Sequence, residues 1–205
     1  MEKHRSEGTR SVGRKMEIKE TKLEGVYTIE PKIFGDERGY FAETYRKDLL
    51  ERRLAYTIDF VQDNESKSSL GVFRGLHYQL PPFSQTKLVR VIQGSVLDVA
   101  VDIRKGSPTF GEHMMIELSE ENKKQLLVPR GFAHGFVVTS DTAIFSYKVD
   151  NYYSPEHDRG ILYNDPDLGI EWGIDGTELL LSEKDRKQPR FKDADLFDYR
   201  QNLYE

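Results

Sequence analysis

The run Lys87-Leu88-Val89-Arg90-Val91-Ile92-Gln93-Gly94-Ser95-Val96-Leu97-Asp98-Val99-Ala100-Val101-Asp102-Ile103 decides the fold class. Two apolar stretches, Lys87–Gln93 and residues 95–103, meet at Gly94-Ser95, a hairpin signal. Val89, Val91 and Gln93 alternate with Leu88, Arg90 and Ile92, as in a strand buried on one or both faces. The same texture extends outward. Upstream, residues 25–30 and 39–45 read as strands, joined by a turn-rich 31–38 with Gly35-Asp36 at the turn. Residues 59–64, 66–69 and 71–79 follow. Downstream come 112–118, a polar turn at 119–124, Gln125–Val128, 136–138 and 143–149. Lys47–Leu54 is the clear helix, with Leu49, Leu50 and Leu54 on one side, and 183–187 is helix-compatible. Many short strands with one good helix predict a mainly β protein, a sandwich or barrel. No repeat or linker interrupts it. One domain is expected over residues 16–189, preceded by a polar, disordered extension (1–15) and followed by a C-terminal tail (190–205).

Composition narrows the function. At 205 residues the chain can bury a substantial core, and its apolar content leans on 11 Tyr and 11 Phe, which suit strands. A net charge of −5 argues against general nucleic-acid binding, so an anionic ligand would need a local Arg or Lys cluster. Without cysteine there is no disulfide, thiolate nucleophile or zinc–thiolate site. Neither a secretory h-region nor an apolar run near membrane-spanning length is present. A cytoplasmic protein that engages no membrane is expected.

Two stretches place ionisable groups inside apolar strands. In Arg74-Gly75-Leu76-His77, the arginine and histidine are three apart and face opposite sides of a strand unless the backbone kinks between them, as Gly75 allows. Pro129-Arg130-Gly131-Phe132-Ala133-His134 has the form P-x-G-x-x-H, a rigid turn delivering a histidine onto a strand. Taken alone, these residues fit a satisfied structural histidine as well as a site. The pattern resembles the second motif of the cupin superfamily, the double-stranded β-helix (jelly-roll) barrels. Metal-binding cupins also carry an H-x-H, and here the corresponding stretch is His77-Tyr78-Gln79. The resemblance therefore implies the barrel without its metal.

Further segments resemble one cupin family. They include Gly35-Asp36-Glu37-Arg38-Gly39-Tyr40-Phe41, Phe60-Val61-Gln62-Asp63-Asn64, Val72-Phe73-Arg74-Gly75-Leu76-His77 and Lys87-Leu88-Val89-Arg90. Ser107-Pro108-Thr109-Phe110-Gly111, Tyr147-Lys148, Asn151-Tyr152-Tyr153 and Leu181-Ser182-Glu183-Lys184-Asp185 extend the set. Over residues 16–189 the chain is similar to the dTDP-4-dehydrorhamnose 3,5-epimerase family. The resemblance implies epimerisation at C3 and C5 of dTDP-4-dehydro-6-deoxy-D-glucose, next to its 4-keto group, without a cofactor. It implies His77 as base paired with Asp185, Lys87 beside the keto oxygen and Tyr147 as acid on the other face. An imidazole suits the base role at neutral pH, and a cation suits an enolate. It also implies a homodimer with exchanged N-terminal strands. Arg38 and Glu43 would then come from the partner subunit, beside Gln62, Asn64, Arg74, His134 and Tyr153 in binding the dTDP-sugar. Asp98, costly unpartnered in its apolar strand, is expected to hold His134. Thr86 stands where many relatives have glycine, and His113 where some carry an aromatic placed to contact the base.

The rivals are an epimerase acting at C3 or C5 alone, a metal-dependent cupin enzyme, and a non-catalytic sugar-nucleotide binder. The missing H-x-H opposes the second. His77, Lys87, Tyr147 and Asp185 together oppose the third, since binding alone needs no acid and base.

Overall fold

A computed structural model describes residues 16–54, 56–174 and 178–205. The N-terminal extension expected over 1–15 lies outside the described residues. The first strands are β1 (Glu17–Glu20), β2 (Tyr27–Glu30), β3 (Ile33–Asp36) and β4 (Gly39–Ala42), followed by helix α1 (Lys47–Leu54). Next come β5 (Gln62–Ser69), β6 (Phe73–Gln79), β7 (Lys87–Gln93), β8 (Ser95–Asp102), β9 (Arg104–Lys105) and β10 (His113–Ser119). The chain closes with β11 (Gln125–Val128), β12 (Phe132–Val138), β13 (Thr142–Val149), β14 (Asp158–Gly160), α2 (Glu183–Arg186) and β15 (Phe197–Asp198).

Two antiparallel sheets make the body, in the orders β1-β2-β11-β7-β13-β5 and β10-β8-β12-β6-β14. This is the mainly β, cupin-type jelly roll expected from the sequence. Alternation along the strands sorts side chains into layers. Val89, Val91, Ala100, Leu126, Phe132, Phe136 and Phe145 pack together in one buried cluster between the sheets. Val99, Val101, Ala133 and Val137 alternate to the outer face of the five-stranded sheet, where Ile161, Leu168, Trp172 and Phe191 cover them. On the six-stranded sheet, Leu88 and Leu127 face outward and meet Leu50 and Leu54 of α1. An acidic residue in the first turn of α1 (Asp48) and basic ones in the last (Arg52, Arg53) complement its dipole.

Three expectations change. Gly35-Asp36 is not the turn: both belong to β3, and the reversal falls at Glu37-Arg38. Cross-strand pairing decides this, because Phe34 lies opposite Phe41 with ring centroids 6.3 Å apart. Strand β12 begins at Phe132, four residues earlier than expected, so the P-x-G-x-x-H turn runs directly into the sheet. Residues 190–205 do not trail from the domain. Phe191, Ala194 and Phe197 are buried in the outer-face cluster, and β15 pairs parallel to β9.

Candidate active site

Strand β6 builds one wall of the site, and its irregularity is what makes it work. Leu76 and Tyr78 pack into the outer-face cluster, whereas Arg74 and His77 line a cavity of about 510 Å³. Regular alternation would separate Arg74 from His77. The register with β12 slips here: His77 pairs with His134, but Arg74 pairs with Phe136. Gly75 permits the slip. Its φ is +148°, and a Cβ there would lie 2.6 Å from the Cα of Gly135.

His77 Nε2 lies 2.6 Å from Asp185 Oδ1. Asp185 is nearly buried, and the short helix α2 presents it: Ser182 caps the helix by accepting the Asp185 N–H, and donates its hydroxyl to Asp185 Oδ2 at 2.8 Å. Burial pushes the Asp185 carboxyl up, but the hydrogen bonds from His77 and Ser182 outweigh it and hold the group below its ordinary value. Asp185 is therefore an ionised acceptor, and the His77 tautomer that fits it has its proton on Nε2 and its lone pair on Nδ1.

The other walls come from both sheets. Lys87, first residue of β7, reaches the cavity and donates to the His77 carbonyl at 3.4 Å. Burial pulls its ammonium down to about 8, although Asp158 and Asp98 favour the charge. Tyr147, on β13 beside β7, lines the same cavity, and burial pushes its phenol up. Phe136 and Phe145 also line it, stacked with centroids 4.1 Å apart. A second histidine–carboxylate pair lies opposite His77. His134 Nε2 is 2.9 Å from both oxygens of the fully buried Asp98. Arg74 donates to Ser68 Oγ at 3.3 and 3.2 Å, and Asn64 on β5 completes that edge.

A family-wide sequence profile described as dTDP-4-dehydrorhamnose 3,5-epimerase matches residues 20–193. The dTDP-4-dehydrorhamnose 3,5-epimerase of Shigella flexneri is 52% identical over 182 residues, covering 89% of this chain and 99% of that protein. The chain belongs to the dTDP-4-dehydrorhamnose 3,5-epimerase family. The Pseudomonas aeruginosa enzyme of that name is 52% identical over 84% of this chain and 94% of its own. Among solved structures, dTDP-6-deoxy-D-glucose-3,5-epimerase from Legionella pneumophila in complex with dTDP-4-keto-L-rhamnose superposes with a TM-score of 0.87. It is 48% identical and covers 91% of this chain and 100% of that one.

Of the residues singled out on the family's pattern, His77, Asp185, Lys87, Tyr147, Arg74, Asn64 and His134 line one cavity. Gln62 and Tyr153 stand outside its lining but are tied to it: Gln62 donates to Asn64 and accepts the Tyr153 N–H, and the Tyr153 hydroxyl donates to Asp158. Arg38 and Glu43 lie away from this cavity, on or just after the exposed β3–β4 hairpin, paired with Asp36 and Arg46. His113 is not among the residues lining this cavity. It stands on β10 with Thr21, Lys22, Met114 and Met115 around a separate surface hollow. Ser182 and Lys184, not among the expected site residues, also line the cavity, the latter ion-paired to Asp158. Ser182 had a legible signal, since Ser-x-x-Asp before a helix is a capping pattern.

Proposed function

We infer that the protein is a dTDP-4-dehydrorhamnose 3,5-epimerase, a carbohydrate epimerase of dTDP-L-rhamnose biosynthesis. The observation that carries the mechanism is the His77–Asp185 bond in one cavity with Lys87 and Tyr147. A C–H bond next to a ketone breaks when a base takes the proton and the electron pair moves onto the keto oxygen. In this reading His77 Nδ1 takes the proton and Asp185 stabilises the imidazolium that results. Lys87 donates to the enolate oxygen; its charge is worth most in such a desolvated place. Tyr147, held protonated by burial, returns a proton to the opposite face and inverts the carbon. Protons balance through solvent, and the steps repeat at the second carbon.

Arg74, with Gln62, Asn64, His134 and Tyr153, is assigned to the dTDP-sugar. A guanidinium suits a diphosphate because its fork makes paired, charge-assisted hydrogen bonds. Arg38 and Glu43 are assigned to the partner's cavity in a homodimer that exchanges N-terminal strands. What supports the exchange is the hairpin itself: among the described residues β3 and β4 pair only with each other, and Phe34, Tyr40 and Phe41 are 49%, 62% and 68% exposed. A domain that begins at residue 16 and a cytoplasmic location belong to the same reading; among the described residues no helix is long and apolar enough to cross a membrane.

Incubation with dTDP-4-dehydro-6-deoxy-D-glucose in D₂O, read by NMR, tests the activity. Deuterium is expected at both C3 and C5. Label at one carbon alone makes the protein a single-site epimerase, and none above the buffer control contradicts the assignment.

A further inference from the structure

We propose that Tyr204 is a positioning residue, whose hydroxyl acts through Thr86 to set the start of β7 and hence the place of Lys87 in the cavity. This rests on the role given to Lys87 above. The profile match ends at residue 193, so Tyr204 lies outside it. Thr86 is fully buried and immediately precedes Lys87. The Tyr204 hydroxyl lies 3.1 Å from Thr86 Oγ1 and 3.2 Å from the Tyr56 hydroxyl, and accepts the Arg130 N–H at 3.3 Å. One phenol thus ties three segments distant in sequence.

The ring is held as firmly as the hydroxyl. It packs on Tyr56 with centroids 4.6 Å apart, and the Arg130 guanidinium sits 4.9 Å from its centre. Arg130 also donates to the Leu203 carbonyl at 2.6 Å and to Asp150 Oδ2 at 3.1 Å. Asp150 closes the loop by accepting the Thr86 N–H on Oδ1 at 2.6 Å. Thr86 is therefore gripped by main chain and side chain at the point where β7 enters the sheet. Lys87 pairs there with Val128 on one side and Val149 on the other. Among the described residues its own side chain has only the 3.4 Å bond to the His77 carbonyl, so its placement depends on where its backbone is held. The groups that bear on its charge are Asp98 on β8, Asp158 on β14 and Lys184 on α2, with His77 and Tyr147 on the cavity wall.

Lysine-selective ¹⁵N NMR of the Lys87 ammonium reads its surroundings without relying on catalysis, and kcat/KM reads the consequence. Tyr204→Phe keeps the ring stack and loses only the hydroxyl; Thr86→Val and Thr86→Ser remove and retain the other half of the bond. Tyr204→Phe and Thr86→Val are expected to raise the Lys87 titration midpoint by roughly half a unit as water gains access. They should lower kcat/KM roughly three- to tenfold with thermal stability nearly kept. Thr86→Ser should match the wild type. An unchanged midpoint and unchanged kcat/KM in Tyr204→Phe overturns the inference, as does Thr86→Val behaving like Thr86→Ser. A midpoint that moves with no change in kcat/KM leaves the positioning intact and refutes the catalytic role of Lys87 instead.

Discussion

Two histidine–carboxylate pairs face each other across the β6–β12 ladder, and they differ in burial. The His77 side chain is 30% exposed and its partner Asp185 4%, whereas His134 is 7% and Asp98 0% exposed. His77 offers Nε2 to a single oxygen, and Ser182 takes the other. His134 divides the same nitrogen between both oxygens of Asp98, with its ring stacked against Phe145 at 6.2 Å. The first geometry leaves a basic nitrogen and an accessible edge, as proton transfer requires. The second is more deeply buried, with one nitrogen committed to both carboxylate oxygens, which suits a ring held fixed in the cavity wall. Similar residue types thus acquire different duties from desolvation and from how many bonds each acceptor has left.

Substitutions can sharpen that contrast or break it. His77→Ala should cause the largest loss, about 10³-fold in kcat within the usual range for an acid–base group, with the fold kept. Asp185→Asn should cost about 10²-fold, because an amide neither favours the imidazolium nor holds the tautomer. The Asp185 value is displaced downward, so its share of stability is present above the ordinary carboxylate value of 3.8 and is lost as pH falls through the lowered one. Acid-unfolding curves of wild type and Asp185→Asn should therefore converge at low pH. Tyr147→Phe should slow net epimerisation by about 10²-fold while proton removal, seen as wash-out of substrate label, continues. Asp98→Asn should invert the pattern of Asp185→Asn, lowering unfolding free energy by about 1–3 kcal/mol with the smaller kcat effect. The smallest effect is a pH profile. Lys87 is charged below about 8, so kcat/KM should fall as pH rises past that value, and Lys87→Arg should move the limb upward.

The jelly roll was legible because its longer strands carry their own pattern: Lys87–Gln93 falls where alternation puts it. The two- and three-residue strands β9, β14 and β15 were not, since so short a run has no period to read. Strand β3 was lost for another reason: its pairing with β4 outweighs the turn propensity of Gly35-Asp36. At the site, Gly75 could be read as a kink because an arginine and a histidine three apart need one. The His77–Asp185 pair could not be derived from spacing. The two are 108 residues apart, and Asp185 sits in a charged segment that looks solvated until the fold brings α2 onto β6. Family resemblance supplied that pairing. Tyr204 had no such help, and only its three hydroxyl contacts distinguish it.

Solvent deuterium exchange at C3 and C5, run side by side on His77→Ala and His134→Ala, tests the central claim most directly. The account predicts no exchange above the buffer control with His77→Ala and measurable exchange at both carbons with His134→Ala. Wild-type exchange in His77→Ala, with His134→Ala inert, would contradict it and make the buried pair the base.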